Sequence, residues 1–274
     1  MEQSSHEAHI HRNCPNCGAP AAAAERLTRY EVAEWPMCRC EACRLVFLEW
    51  VPRYEELHDD LAWTKQKKRE TERRRRARPL MMWLDDHTRW RLGLLGDATV
   101  AGSLRAWAPA GPVLDIGCGT ANSFVNLSDR FVPHGIEIDD AAAEVARTMI
   151  EPRGGKLVHA DALTGLRSLA PAFFSGVVLW SYLEHEAEPL AVLREVRRVV
   201  RPDGVVIIKV PNFSCWNRVV TGRNWCGFRH PDHVQYFTPT TLGELAGRAG
   251  FRTTFRLYGR IPTNDNLFAN LRPC

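Results

Sequence analysis

Short apolar runs recur along the second half of the chain, each closing on an acid, a glycine or an aromatic residue before the pattern changes. Val113-Leu114 leads into Asp115-Ile116-Gly117-Cys118-Gly119-Thr120-Ala121, and Gly135-Ile136-Glu137-Ile138-Asp139 reads as a second strand. Lys156-Leu157-Val158-His159-Ala160-Asp161 gives a third, Gly176-Val177-Val178-Leu179-Trp180 a fourth, and Val205 to Val210 a fifth after a turn at Arg201-Pro202-Asp203-Gly204. Runs this short and this apolar suit strands buried on both faces of a parallel sheet. Ala141 to Ile150, and the i, i+3, i+6 spacing of Leu190, Leu193 and Val196, predict helices between them. Strands alternating with helices predict an α/β fold with a doubly wound sheet.

The turn after the first strand is the point of candidate chemistry. Gly117 and Gly119 let the backbone bend tightly and approach a ligand with no Cβ in the way. A helix carrying Phe124 and Leu127 is expected to follow, with its first N–H groups open to an anionic group. Asp115, at the carboxyl end of its strand, stands where open α/β sheets bind ligands. Glu137, 22 positions after Asp115, is placed to accept hydrogen bonds from ribose hydroxyls. Asp139 and Asp140 read as helix caps.

In their order and spacing these segments resemble the class I S-adenosylmethionine-dependent methyltransferases. The resemblance runs from about Leu104 to the C-terminus. It includes the glycine turn, Glu137, Ala160-Asp161-Ala162 and Leu183-Glu184-His185. Arg197 to Gly204, Val210-Pro211-Asn212 and Phe237-Thr238-Pro239 ahead of Leu242 and Ala249-Gly250-Phe251 extend it. It implies a seven-stranded, Rossmann-like sheet with a final antiparallel pair. Phe251 to Tyr258 can supply one of those strands, whereas Asn266 to Arg272 looks short for the other. It also implies that Asp115, Gly117 and Gly119 surround the methionine end of the cofactor and that Glu137 binds its ribose. Asp161, in the same cofactor-binding segment as Ala162, would hold the adenine amino group, and Trp180 would line the pocket near the transferred methyl. Ala121 stands where the family often has a third glycine, a change tolerable on a helix.

Five of the nine cysteines lie between positions 14 and 43. Cys14-Pro15-Asn16-Cys17 and Cys40-Glu41-Ala42-Cys43 form two CxxC pairs, and two such knuckles complete a closed tetrahedral zinc site. Cys38 is a rival ligand, but its spacing from Cys40 suits a knuckle less well. Four thiolates leave no position for water, so Zn2+ held by Cys14, Cys17, Cys40 and Cys43 would be structural. His6, His9 and His11 read as a flexible polar tail, and Cys118 as a small buried residue.

Residues 1–52 are therefore expected to form a zinc-ribbon-like module, 53–103 a helical linker and possible lid, and 104–274 the methyltransferase domain. Lys65 to Arg78 holds nine Lys or Arg against Glu70 and Glu72, a net +7 in a chain of net +4, so the rest sums to −3. A basic helix beside a zinc module could hold RNA or anionic lipid, but its charges occupy every helical face, which suits a solvated helix and leaves no stripe for membrane insertion. Leu80 to Leu84, with Trp90, Leu94 and Leu95, could cover the sheet or act as a lid.

An acceptor hydroxyl or amine carrying a proton can call for a base beside the attacking atom. His185 follows the fourth strand and is the first candidate, either for proton transfer or for organising its loop. Trp225 to Phe237 mixes aromatics, histidines and charge; His233 and Tyr236 are its candidate catalytic residues, with His230 exposed or structural. Thr241 followed by Glu244 fits a capping box that anchors the end of this segment. Asn212 could position acceptor or cofactor atoms, or simply form a turn.

At 274 residues, 45% hydrophobic and 25% charged, the chain can bury one sizeable core plus an appendage. No apolar run approaches about 18 residues and the first twelve positions lack a secretory segment, so a cytoplasmic protein is expected. The resemblance favours a small-molecule methyl acceptor, as in cofactor, sugar or secondary-metabolite biosynthesis. An RNA base methyltransferase, docking through the zinc module and basic helix, and a noncatalytic cofactor-binding scaffold are the alternatives. The atom methylated and the oligomeric state are left open.

Overall fold

The computed structural model describes residues 9–31, 35–52, 99–256 and 264–274. The basic segment Lys65 to Arg78 and the lid candidate Leu80 to Leu95 lie outside them.

The N-terminal strands are β1 (His9–His11), β2 (Glu25–Arg26), β3 (Met37–Arg39), β4 (Val46–Leu48) and β5 (Trp50–Pro52). β1 pairs antiparallel with β5, so His9 and His11 belong to a strand instead of the flexible tail expected. His11 packs edge-on against its cross-strand partner Trp50, and His9 lies against the Trp35 ring. β2, β3 and β4 form an antiparallel sheet whose far edge is taken by β11 (Gln235–Tyr236), nearly two hundred positions later in the chain.

The main sheet contains β6 (Gly111–Ile116), β7 (Phe131–Glu137), β8 (Leu157–His159), β9 (Phe174–Trp180), β10 (Val200–Pro211), β12 (Phe251–Phe255) and β13 (Asn266–Pro273). Its order is β12-β13-β10-β9-β6-β7-β8, parallel from β8 to β10 and antiparallel at β13 and β12. This is the seven-stranded, doubly wound, Rossmann-like sheet that the pattern and the resemblance implied. Val177, Val178, Leu179, Val206, Ile207 and Ile208 are buried on both faces, each worth roughly 1.5–3 kcal/mol. The strand order reverses beside β6, which opens a crevice at its carboxyl end.

Four details depart from expectation. The helix after the glycine turn is only a 3-10 turn, Asn122–Phe124, because Ala121 enters it in the left-handed region at φ 58°. Ala121 is therefore not on a helix. Asn266–Pro273 is a full eight-residue strand seated between β10 and β12, where pairing on both edges and burial of Leu267, Ala269 and Leu271 secure it. The helix Pro239–Arg248 is capped by Thr238 with Thr241 as its reciprocal partner, and Glu244 takes no part in the cap. Proline at the first helical position, which has no N–H to satisfy, sets that boundary. Finally, Val200 to Pro211 is one strand in which the expected turn at 201–204 survives as a register irregularity.

Candidate functional site

The carboxyl ends of β6, β7 and β9 deliver three of the expected cofactor residues to one crevice. Asp115 is buried, and Oδ2 accepts from Ser123 Oγ at 2.6 Å. Burial pushes its carboxyl up to about 7; the Ser123 bond opposes the rise and nearby Glu137 adds to it. Gly117 (φ +67°) and Gly119 (φ +54°) both need the left-handed region. A Cβ on Gly117 would lie 2.6 Å from the Tyr182 ring, whereas one on Gly119 would meet nothing within 4 Å. Gly119 therefore faces open space beside an acid.

Glu137 holds that turn in shape. Its Oε2 accepts from the Gly119 N–H at 2.7 Å and its Oε1 from the N–H groups of Ile138 and Asp139 at 2.9 Å. Asp139 caps the helix Asp140–Ile150, so the capping expectation holds for it. Asp161 caps the helix Ala162–Arg167, its Oδ1 accepting from Thr164 N at 2.9 Å. Burial opposes its charge, but these bonds outweigh it and hold the carboxyl below its ordinary value. Ala162, the first residue of that helix, is buried. Trp180 ends β9 with Lys209 Nζ 5.4 Å from its ring centroid.

The segment after β9 begins beside the glycine turn and ends at a histidine pair. Ser181 takes a positive φ of 57°, Tyr182 covers Gly117, and the His185 N–H bonds back to Tyr182 O at 2.9 Å. His185 and His233 meet edge to face, their rings 4.7 Å apart. His185 Nδ1 lies 2.8 Å from Asp232 Oδ1, and His233 Nδ1 lies 2.7 Å from the Gly227 carbonyl. Burial disfavours the His185 imidazolium, but Asp232 outweighs it and holds the group above its ordinary value. Burial, aided by His185, keeps His233 well below its own. The two expected histidines are thus brought together in different protonation tendencies.

Tyr236 is not grouped with them. Its ring is buried among Phe213 and Phe228, and its hydroxyl lies 3.3 Å from His230 Nε2. His230 is partly buried, in line with a structural position, and burial pushes it down to about 4. Asn212 makes a turn: its Oδ1 accepts from both the N–H and the hydroxyl of Ser214.

Sequence reasoning missed Asp232 as the orienting acid, Ser123 as the partner of Asp115, and Gln235. Asp232 and Gln235 lie inside the segment singled out, one and two positions from His233, and adjacency was their available signal. Gln235 Nε2 donates to the carbonyls of Leu183 and Glu186 at 2.6 Å, and Val234 N donates to Glu184 O at 2.9 Å. Strand β11 carries this loop into the N-terminal sheet. Met37, Val46 and Leu48 share a core with Phe213, Trp225, Phe228 and Tyr236.

In that N-terminal unit, Cys14, Cys17, Cys40 and Cys43 bring four sulfurs within 4.8 Å of one another. Cys14 and Cys43 Sγ are 3.5 Å apart, and Cys17 and Cys40 Sγ 3.4 Å. Tetrahedral Zn–S bonds of about 2.3 Å require S···S separations of about 3.8 Å, so the set fits a metal with small adjustments. Cys38 stands outside it, 3.9 Å from Glu49 Oε2, and burial pushes its thiol up to about 11.

A family described as "Methyltransferase domain" matches residues 82–254. The chain belongs to that family. The methyltransferase is 26% identical over 151 residues to a ubiquinone biosynthesis O-methyltransferase of Nitrosospira multiformis, covering 50% of this chain and 61% of that one. A protein of the same description from Cereibacter sphaeroides is 28% identical over 149 residues, covering 50% and 59%. The matches thus span about three-fifths of the length of these curated relatives. A solved S-adenosylmethionine-dependent methyltransferase of Thermotoga maritima, described as a possible histamine N-methyltransferase, shares the fold. It aligns with TM-score 0.50 at 17% identity, over 70% of this chain and 97% of that one.

Proposed function

We propose that this methyltransferase transfers a methyl group to a hydroxyl of a small molecule, in the biosynthesis of a cofactor or related metabolite. The observation that carries the reading is the position of the His185–His233 pair. The pair ends the segment that follows β9, whose Tyr182 packs over Gly117, and this favours an acceptor end beside the cofactor turn. The O-methyltransferase relatives supply the choice of oxygen.

In this reading Asp115, Gly117 and Gly119 hold the methionine end, Glu137 the ribose, and Asp161 with Ala162 the adenine. Trp180 lines the wall near the reacting centre. The sulfonium of S-adenosylmethionine supplies an already activated methyl, so the protein's work is alignment and exclusion of water. His185, oriented by Asp232, and His233, oriented by Gly227, hold the acceptor oxygen behind that methyl. Tyr236, buried in an aromatic core, supports the loop instead of touching substrate.

The cysteine set holds one structural Zn2+ through Cys14, Cys17, Cys40 and Cys43. The organisation is a zinc module (1–52), a connecting segment (53–103) and the catalytic domain (104–274), with β11 lent by the last to the first. Among the described residues no helix is long and apolar enough to cross a membrane.

Labelled methyl transfer tests the function. The purified enzyme, offered isotopically labelled S-adenosylmethionine with a panel of phenolic and other hydroxylated metabolites and, separately, with RNA, is expected to label a small hydroxylated acceptor. Incorporation only into RNA would overturn the reading, and cofactor binding with no transfer to any acceptor would make the protein a scaffold.

A further inference from the structure

Four strands place one row of side chains across the main sheet. Trp180 of β9 is in register with Lys209 of β10, and Lys209 with Phe268 of β13. Arg256 follows β12, and its N–H donates to Phe268 O at 3.0 Å, which makes it the fourth member. It stands two positions after Thr254, the partner of Asn270, and so projects from the same face as both. Trp180 packs against the core cluster that holds Cys118, Ala121 and Phe124. The row and the glycine turn therefore share a face.

This row is both aromatic and cationic. The Trp180 and Phe268 rings meet with centroids 5.6 Å apart and planes at 60°, which makes a corner. Lys209 Nζ lies 5.4 Å from the Trp180 centroid and donates to Ser181 Oγ at 3.2 Å. On the other side of Phe268, the Arg256 Nε and Nη2 atoms are buried.

One row deeper in the sheet, Val178, Ile207, Asn270 and Thr254 are in register, and the first two belong to the apolar core. Asn270 is 4% exposed, yet neither its Nδ2 nor its Oδ1 has a hydrogen-bond partner. Buried polar groups are ordinarily paired, and an amide with donor and acceptor both unmade is costly in an apolar row. Same-face neighbours on a strand are about 7 Å apart, so this amide is within reach of a ligand lying against Phe268.

We propose that Lys209, Arg256 and Asn270 bind a carboxylate-bearing ring seated in the Trp180–Phe268 corner, so that the methyl acceptor is a hydroxylated aromatic acid. This rests on the hydroxyl-acceptor reading above and names a substrate class for it. Two cations supply charged donors that a carboxylate uses and a neutral phenol does not, while the aromatic corner supplies ring contact. The Asn270 amide, with a donor and an acceptor, completes its hydrogen bonds on the polar groups of such a ligand. Trp180 connects through Ser181 to Tyr182, whose ring covers Gly117, which sets the acceptor ring beside the cofactor turn.

The test is calorimetric binding of 4-hydroxybenzoate, 3,4-dihydroxybenzoate and the amides of both to the full-length, zinc-replete protein saturated with S-adenosylhomocysteine. An acid is expected to bind at least about tenfold tighter than its amide. Lys209→Met and Arg256→Met should each remove about tenfold from acid binding and leave amide binding and S-adenosylhomocysteine affinity unchanged. Lys209→Arg, which keeps the charge, should restore part of the selectivity. Asn270→Leu, close in volume, should weaken acid and amide alike by about fivefold while its melting temperature equals or exceeds the parent's, because no buried amide is left unmade. A lowered melting temperature in that variant would show the amide to be structural and remove it from the site.

Acids that bind no tighter than their amides overturn the proposal, whether both bind or neither does. Selectivity indifferent to Lys209→Met and Arg256→Met also overturns it. Labelled methyl transfer to 3,4-dihydroxybenzoate and its amide separates this inference from the reading it rests on. Acid-selective binding without O-methylation supports the site and ends the hydroxyl-acceptor reading, whereas equal binding and turnover of acid and amide keep that reading and end the carboxylate site.

Discussion

Arg12 Nη1 donates to Gln235 Oε1 at 3.1 Å, which ties the first cysteine knuckle's neighbour to the strand that follows His233. The same guanidinium bonds the carbonyls of Leu48 at 2.9 Å, Ala187 at 3.1 Å and Val234. Burial pushes its pKa down to about 9, yet four acceptors surround it. Arg12→Met would strand those acceptors and is expected to destabilise the fold by about 3 kcal/mol, read from denaturant unfolding. Arg12→Lys should recover only part, because an ammonium cannot reproduce the planar fork. Equal stability of Arg12→Met and the parent would show the joint to be ornamental.

Asp115 gives the cofactor-free enzyme a pH dependence with a definite sign. Its folded pKa of about 7 exceeds the unfolded value of about 3.9. The folded state therefore binds the proton more tightly, so this contribution to stability is full below about pH 4 and is lost as pH rises through about 7. Asp115→Asn should flatten that part of the profile in thermal melts between pH 5 and 8. Binding of S-adenosylhomocysteine, whose ammonium favours the ionised acid, should release a proton near pH 6, measurable by calorimetry in buffers of different ionisation enthalpy. A profile for Asp115→Asn identical to the parent's would contradict this.

The two turn glycines should fail differently when given a methyl group. Gly117→Ala adds left-handed strain and drives Cβ to 2.6 Å from Tyr182, whose hydroxyl is anchored on Glu186 at 2.6 Å. A loss of stability on the order of 3 kcal/mol is expected. Gly119→Ala meets open space, so it should cost only the left-handed term of about 1–2 kcal/mol while obstructing the cofactor. Unfolding and calorimetric binding of S-adenosylhomocysteine, measured on both variants, separate the effects; equal losses in both would refute the assignment.

What was readable from the chain follows from how local its causes are. β6 to β10 announced themselves because strands buried on both faces must be apolar throughout, and Cys14, Cys17, Cys40 and Cys43 because two ligands per knuckle fix their spacing. The meeting of His185 with His233 was anticipated only as two separate candidates. Their contact depends on β11 pairing with β4, a two-residue strand too short to carry a periodic signal. The helix expected after Gly119 failed because a single residue, Ala121, adopts the left-handed region, and alanine does not advertise that choice. Asn266–Pro273 was undervalued because a strand's security comes from its two neighbours.

In the proposed enzyme the acceptor site is assembled jointly by the cysteine module and the Rossmann-like sheet, whereas the cofactor site belongs to the sheet alone. The direct measurement compares S-adenosylhomocysteine affinity with methyl-transfer kcat/KM in the parent and in Cys40→Ser, with zinc content determined for each. Zinc loss is predicted to leave cofactor affinity within about threefold while kcat/KM falls at least tenfold, since β11, Gln235 and His233 lose their backing. Unchanged turnover in zinc-free protein, or parallel collapse of cofactor binding, would contradict it.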